Sequence, residues 1–325
     1  MNADAVAEMP DGLHAAVGGS GSPLPDSKRG DPCLAVIAGK RVFIVDAGER
    51  ASETLNRMRI EPGRIEAVLL THFHSDHIGG LGSLAIQRWV SEGTTGPMSV
   101  IGPPGVERVV AGYNEAFALD SGYRTAHHGE AVAPAASGGL SAQPFGFHEG
   151  SDSMVILDDR GLKITAFEVD HAPAEPAVGY RFDYLGRSLV VSGDTKYSPA
   201  LVRVAERADL LIHDALSPEL TKLVEDAAAA AGQTARARIF ADIPDYHASP
   251  GEAADAAREA RVQALALTHI VPPLPLKWLQ GPFLGDAQER FTGPLWIAED
   301  GDLYSLPAGG EGVERSRLIG RGPGA

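Results

Sequence analysis

The chain has 325 residues, 44% of them hydrophobic, and 28 Lys and Arg against 43 Asp and Glu give a formal net charge of −15 at pH 7. That length can bury a sizeable core in one large domain or two closely packed ones. So acidic a surface repels polyanions unless a local basic patch or bound cations intervene, and Cys33, the single cysteine, excludes an internal disulfide while leaving the compartment open.

In chain order, the first residues lack a basic region followed by an apolar one, and no run of about 18 apolar residues occurs anywhere, so neither a signal peptide nor a membrane span is expected. The cytoplasm is the default compartment, with export open if a signal segment has been removed. Residues 1–16 read as a flexible tail and "GGSGSPLPDSKRGDP" as a turn-rich loop opening a domain over 17–307. "CLAVIAG" and "RVFIVDAG", split by Gly39-Lys40, predict a hairpin. Then helices ("SETLNRM", "GGLGSLAIQRWVSEG", "GVERVVAGYNEAFAL") alternate with strands ("IEAVLL", "MSVIG"), the pattern of an α/β layered sheet. Residues 120–153 read as an irregular insertion or lid. Strands return at "MVILDD", "LKITAFEVDH", "AVGYRFDY" and "SLVVSGD", with "YLGR" as a hairpin turn. A helix near 199–207, the strand "DLLIHDA", a helix near 217–231, a helix opening at the capping box Ser249-Pro250-Glu252, and the strand "ALALTH" complete the ordered part. Residues 308–325 read as a flexible C-terminal tail.

The densest chemistry follows "AVLL": "THFHSDHIGG" sets His72, His74, Asp76 and His77 at the mouth of a buried strand. His72 and His74 alternate through the loop and can converge, while Asp76 and His77, being adjacent, are expected to point apart. Two pairs of ligands aimed in different directions suit two neighbouring metal ions, and imidazole with carboxylate suits Zn²⁺ first, with Mn²⁺ or Fe as alternatives.

This HxHxDH pattern resembles the signature of the metallo-β-lactamase superfamily, and the similarity extends over roughly residues 17–305. The resemblance implies a four-layer αββα sandwich of the α/β class. It also implies a dinuclear site in which His72, His74 and His171 hold one metal, Asp76, His77 and His269 hold the other, and Asp194 at the end of "LVVSGD" bridges both. A hydroxide between two Zn²⁺ ions would then be the nucleophile of a hydrolase, with Asp76 able to accept its proton.

Within the superfamily, an Asp at the bridging position fits enzymes of phosphodiesters, thioesters, lactones and sulfate esters better than true β-lactamases. His247 in "YHASPGE", 22 residues before His269, resembles the HST-type motif of the ribonuclease Z and arylsulfatase-like branch, implying a catalytic His247 that donates a proton to the leaving group. Two departures point away from tRNA. Only 23 residues separate His171 from Asp194, leaving no room for a tRNA-binding arm, and "IVPPLPLKW" lacks the expected Ser-Arg-Tyr pattern. The expectation is therefore a small-molecule ester substrate, a phosphodiester or aryl sulfate, with nucleic acid an unlikely partner, no membrane contact, and a homodimer as candidate assembly. Rival readings are a lactone, thioester or β-lactam hydrolase, a non-catalytic metal carrier, and a nucleic-acid enzyme should Arg181, Arg187 and Lys196 cluster at the mouth.

Elsewhere, His127 and His128 read as exposed loop residues, His213-Asp214 as a candidate support for a ligand imidazole, Trp278 and Phe283 as pocket wall or core, and Trp89 and Tyr113 as core or interface. Residues 105–150 and 270–285 are the expected pocket walls. His14 and His148 have no motif around them.

Overall fold

Apolar runs rich in β-branched residues become strands wherever a turn lets them pair. The computed structural model describes residues 4–91 and 95–319. After the one-turn helix α1 (Ala5–Glu8), strands β1 (Gly12–Gly19), β2 (Cys33–Ala38) and β3 (Arg41–Ala47) run antiparallel, with the β2–β3 turn at Gly39-Lys40 as expected. Helix α2 (Ala51–Arg57) leads to β4 (Ile65–Leu69), parallel to β3. The one-turn α3 (Ser75–Ile78) and α4 (Leu81–Trp89) precede β5 (Met98–Gly102), and α5 (Val106–His128) precedes β6 (Leu140–Pro144); both strands add in parallel.

The second half opens with an antiparallel meander of β7 (Ser153–Asp159), β8 (Leu162–Glu168), β9 (Val178–Tyr184) and β10 (Arg187–Val191). Leu185 and Gly186 make its last turn, both left-handed at φ 49° and 76°, which suits a two-residue hairpin loop. Next come α6 (Pro199–Val204), β11 (Leu210–Leu216), α7 (Pro218–Ala230), α8 (Thr234–Asp242), α9 (Pro250–Glu259) and β12 (Ala264–Val271), with β10, β11 and β12 mutually parallel. The capping box at Ser249 and Glu252 starts α9 as expected. The short α10 (Gln280–Leu284) and α11 (Ala287–Arg290) lead to β13 (Leu295–Ile297), after which β14 (Asp302–Pro307) and β15 (Glu314–Arg317) return to the first sheet.

The two sheets run in the order β15-β14-β1-β2-β3-β4-β5-β6 and β13-β12-β11-β10-β9-β8-β7. Along β3, Phe43 and Val45 face the second sheet while Val42 and Ile44 face helices, the period of two that a strand imposes. Between the sheets, Val36, Phe43 and Leu69 pack with Ile164, Tyr180 and Ile212. Leu55 of α2, Leu84 of α4 and Val110 of α5 cover the outer face of the first sheet, and Leu201 of α6 with Ala254 and Ala257 of α9 cover the second. These are the four αββα layers that the resemblance implied.

Three boundaries differ from expectation. Of the expected N-terminal tail 1–16, residues 1–3 lie outside the described residues and the rest holds α1 and most of β1, which is buried along its whole length between β14 and β2. "GLHAAVGG" carries one β-branched residue, so it has no strand signature, yet small residues are what a doubly covered strand accommodates. His14 lies there, buried, with its Nε2 against Pro10 O. The C-terminal tail is in part β15, while residues 320–325 lie outside the described residues. The insertion 120–153 begins as the second half of α5, which buries only Val106 and Val110 and so shows no apolar period, and it includes β6 at the sheet edge. His127 and His128 therefore sit on a helix end, and Trp89 is a core residue whose Nε1 donates to Pro134 O. Among the described residues, no helix is long and apolar enough to cross a membrane.

Candidate metal centre

Strands β3 and β4 of one sheet and β10, β11 and β12 of the other end at the same edge, so the loops that leave them meet. Beyond β4 come His72 and His74, then α3, which carries Asp76 and His77 in its single turn. Asp194 follows β10 through Gly193, whose φ of 65° suits glycine and whose added Cβ would lie 2.7 Å from Val178 O. His269 reaches the same point through a bulge. The β11–β12 register steps from Asp214↔Thr268 to Ala215↔Ile270, leaving His269 unpaired at φ 48° and turning its ring toward the centre.

The structure brings all seven expected residues together. The donor atoms of His72, His74, His171 and Asp194 lie within 4.8 Å of one another, as do those of Asp76, His77 and His269. One carboxylate oxygen joins the groups: Asp194 Oδ2 is 3.1 Å from His269 Nε2, 3.2 Å from His77 Nε2, 3.8 Å from His72 Nε2 and 3.9 Å from His171 Nε2. Asp76 and His77 do not point apart as expected. Asp76 Oδ2 is 3.4 Å from His77 Nε2 and 3.3 Å from His269 Nε2, because the tight turn of α3 lets both side chains reach one point.

The hydrogen bonds show what the imidazoles are prepared for. His77 Nδ1 donates to Asp46 Oδ2 (2.8 Å), His171 Nδ1 donates to Tyr246 O (2.8 Å), and His72 Nδ1 donates to Thr71 Oγ1 (3.1 Å), whose own hydrogen goes to Asp46 Oδ2. Each of these rings, when neutral, therefore aims a lone pair inward. His72 Nε2 and His171 Nε2 face His74 Nδ1 at 3.0 and 3.3 Å, and the buried His77 Nε2 has no hydrogen-bond partner. Lone pairs packed this closely repel unless a cation sits among them, so the donor set fits a pair of divalent ions.

Electrostatics agree. Burial disfavours the charged imidazoles of His72, His74 and His171 and lowers their pKa values. Burial acts on His77 and His269 in the same sense, but carboxylates outweigh it and raise both: Asp194, Asp46 and Asp76 at His77, and Asp194 and Asp76 at His269. Burial would raise Asp194 and Asp76, yet the surrounding imidazoles hold both carboxyls below the usual carboxylate range. The cluster draws positive charge inward.

Three supports escaped the sequence reading: Asp46, Thr71 and the Tyr246 carbonyl. Asp46 had a signal, since "FIVDAG" is one more apolar strand ending in Asp. It accepts from the Thr71 amide and hydroxyl and from His77 at 2.8 Å each, so Asp46→Asn is expected to weaken metal affinity about 10- to 100-fold with the fold retained. A competitive chelator titration measures this, and unchanged affinity would refute the supporting role. Asp214 also differs from expectation. Its Oδ2 accepts from His247 Nδ1 at 3.0 Å, and no ligand imidazole donates to it. His247 in turn lies with Asp194 and His269 in a third group of converging donors.

The cavity beside Asp76 measures about 530 Å³ and is lined by Arg29, Asp31, Glu49 and Arg50, a wall drawn from the loop after β1 and the one after β3, and a groove next to it takes Pro272, Pro273 and Pro275 from the expected wall 270–285. Burial, with Asp76 and Glu49 nearby, pushes the Asp31 carboxyl up to about 6. Phe283 is buried, whereas Trp278 is 69% exposed. Arg181 and Arg187 do not cluster at the mouth: they line a cavity at the opposite end of the strands, paired to Asp183 and Asp209, while Lys196 pairs with Asp170 beside His171.

The pattern of the β-lactamase superfamily domain matches residues 41–270. The chain is 38% identical to the ribonuclease Z of Mycobacterium avium (strain 104) over 284 residues, 87% of this chain and 94% of that one. Its fold is similar to a metallo-β-lactamase-fold protein from Bacillus subtilis (TM-score 0.63, 18% identity, 90% of this chain and 99% of that one) and to the short form of human tRNase Z (TM-score 0.63, 21% identity, the same coverage). The ribonuclease relatives overturn two expectations, that the substrate is a small-molecule ester and that nucleic acid is an unlikely partner, and they lend no support to an arylsulfatase. The error lay in reading the missing arm, the missing Ser-Arg-Tyr pattern and the net charge as evidence against RNA, when the ribonuclease relatives match the chain all the same. Charges beyond about 10 Å are screened, so the field at a metal-binding mouth is set locally and not by the sum over the surface. The chain belongs to the metallo-β-lactamase-fold hydrolases, in the family of the ribonucleases Z, and is a metal-dependent hydrolase of an ester bond.

Proposed function

We propose that the chain is a ribonuclease of the Z type that hydrolyses a phosphodiester bond of RNA at a dinuclear zinc centre. The observation that carries the reading is the single oxygen, Asp194 Oδ2, at the meeting point of two groups of imidazoles, in a chain 38% identical to a ribonuclease Z over 94% of that protein's length.

In this reading His72, His74 and His171 would hold one ion, Asp76, His77 and His269 the other, and Asp194 would be shared. Ions held there would acidify a water toward neutrality and offset the phosphate charge. The protein's own groups do the rest. Asp46, Thr71 and the Tyr246 carbonyl accept from the Nδ1 side of these rings, so that each ring, when neutral, turns its bare Nε2 inward. Asp214 fixes the His247 ring through Nδ1, which leaves Nε2 to carry a proton to the departing oxygen. Asp76 would take a proton from the attacking water.

The test is a tRNA transcript with a 3′ extension. One endonucleolytic cut, lost with a chelator and restored by Zn²⁺ or Mn²⁺, is the expected result. Intact RNA at full metal occupancy would overturn the assignment.

A further inference from the structure

The cavity beside Asp76 shares the loop wall Pro25, Asp26 and Ser27 with a second one, a groove of about 450 Å³ that runs on between that loop, the α7–α8 pair and the prolines after β12. Phe240 of α8 is buried in its wall, and the exposed Arg236 guanidinium lies 5.7 Å over that ring, presenting a flat cationic face. Across the groove, exposed Lys28 donates from its ammonium to Pro275 O. Past Pro275, Leu276 is 52% and Trp278 69% exposed, with Lys277 between them. One acid, Asp26, lines the groove, and its Oδ1 accepts from the Lys28 amide.

The charges here are organised differently from those nearby. Lys222 on α7 and Arg238 on α8 are neutralised within their own helices by Glu225, Asp226 and Asp242. Among the described residues, no carboxylate stands within ion-pair distance of Lys28, Arg236 or Lys277. In a chain of net charge −15, two cations without a carboxylate partner lining a groove that adjoins the cavity beside Asp76 create a local demand for anions. The exposed Arg236 plane adds a demand for planar rings. Phosphates joined to planar bases meet both, and unpaired single strands are the form that leaves base faces free to stack on aromatic rings and Arg planes. An apolar protein partner would strand the two cations without water, at a cost. The hairpin between His171 and Asp194 has no projecting arm, so contacts to the rest of an RNA must come from surfaces such as this one.

We infer that this groove binds a single-stranded stretch of the RNA substrate next to the cleaved bond, with a base stacked on Arg236 and a phosphate held by Lys28; the inference rests on the reading of the chain as a ribonuclease. It assigns substrate placement, not chemistry, to these residues.

Arg236→Ala and Lys28→Ala test it, both at exposed positions, with circular dichroism, metal content and sedimentation as controls. Kinetics are followed on the 3′-extended tRNA and on bis(4-nitrophenyl) phosphate, which is too small to reach the groove. The expected result is a KM for RNA raised about fivefold or more, kcat within about twofold, and unchanged hydrolysis of the small diester. Arg236→Ala and Lys28→Ala should each also reduce the salt dependence of RNA binding by about one unit of slope. If RNA is cleaved and both variants keep the KM, the groove is not a subsite. If the variants instead turn a dimer into monomers and the KM follows only that change, the surface is an interface between copies and the inference fails. An unaltered chain that hydrolyses the small diester and neither cuts nor binds RNA overturns the ribonuclease reading, and the inference with it.

Discussion

Asp194→Asn is expected to lower RNA hydrolysis by about a thousandfold or more, which corresponds to about 4 kcal/mol of transition-state stabilisation. The side chain is nearly isosteric, so packing at this buried site is kept; what disappears is the negative charge shared by His72, His77, His171 and His269. Metal content should fall below two per chain, because neither group of donors retains its common anion. Elemental analysis of the dialysed variant beside single-turnover rates decides the matter. Two ions bound and a rate close to that of the unaltered chain would remove Asp194 from the centre of the mechanism.

His247→Ala should leave both metals bound and lower kcat about 10²- to 10⁴-fold, the range for a positioned proton donor. KM should change little. Asp214→Asn should act in the same direction, since it takes the acceptor from His247 Nδ1 and with it the ring's orientation. The choice of substrate separates chemistry from damage. A nitrophenolate leaving group needs no proton, so bis(4-nitrophenyl) phosphate should lose far less than RNA. Equal losses on both substrates would mean that His247 supports the structure of the centre and does not deliver a proton.

These predictions draw on two kinds of information in the chain. Four of the seven converging residues were legible as one dense segment after the apolar run of β4, and His171, Asp194 and His269 through the resemblance to the metallo-β-lactamase superfamily; all seven meet because strand ends in layered α/β sheets gather at one edge. The supporting pairs were not. Asp46 meets His77 from 31 positions away, and Asp214 meets His247 from 33, through contacts that no local spacing announces. The opening strand was missed for a related reason. "GLHAAVGG" reads as flexible, and only burial between β2 and β14 makes small residues the right ones there.

By itself, then, the sequence determined the layer pattern, the turn at Leu185-Gly186, the capped start of α9 and the set of residues able to bind metal, because these depend on backbone preference, side-chain period and ligand chemistry within short segments. Tertiary structure alone decided that one oxygen of Asp194 faces both groups of imidazoles, that a bulge turns His269 inward, and that unpaired Lys28 and Arg236 border one groove. Those relations join residues tens or hundreds of positions apart, and they exist only once the two sheets have packed and brought the strand ends together.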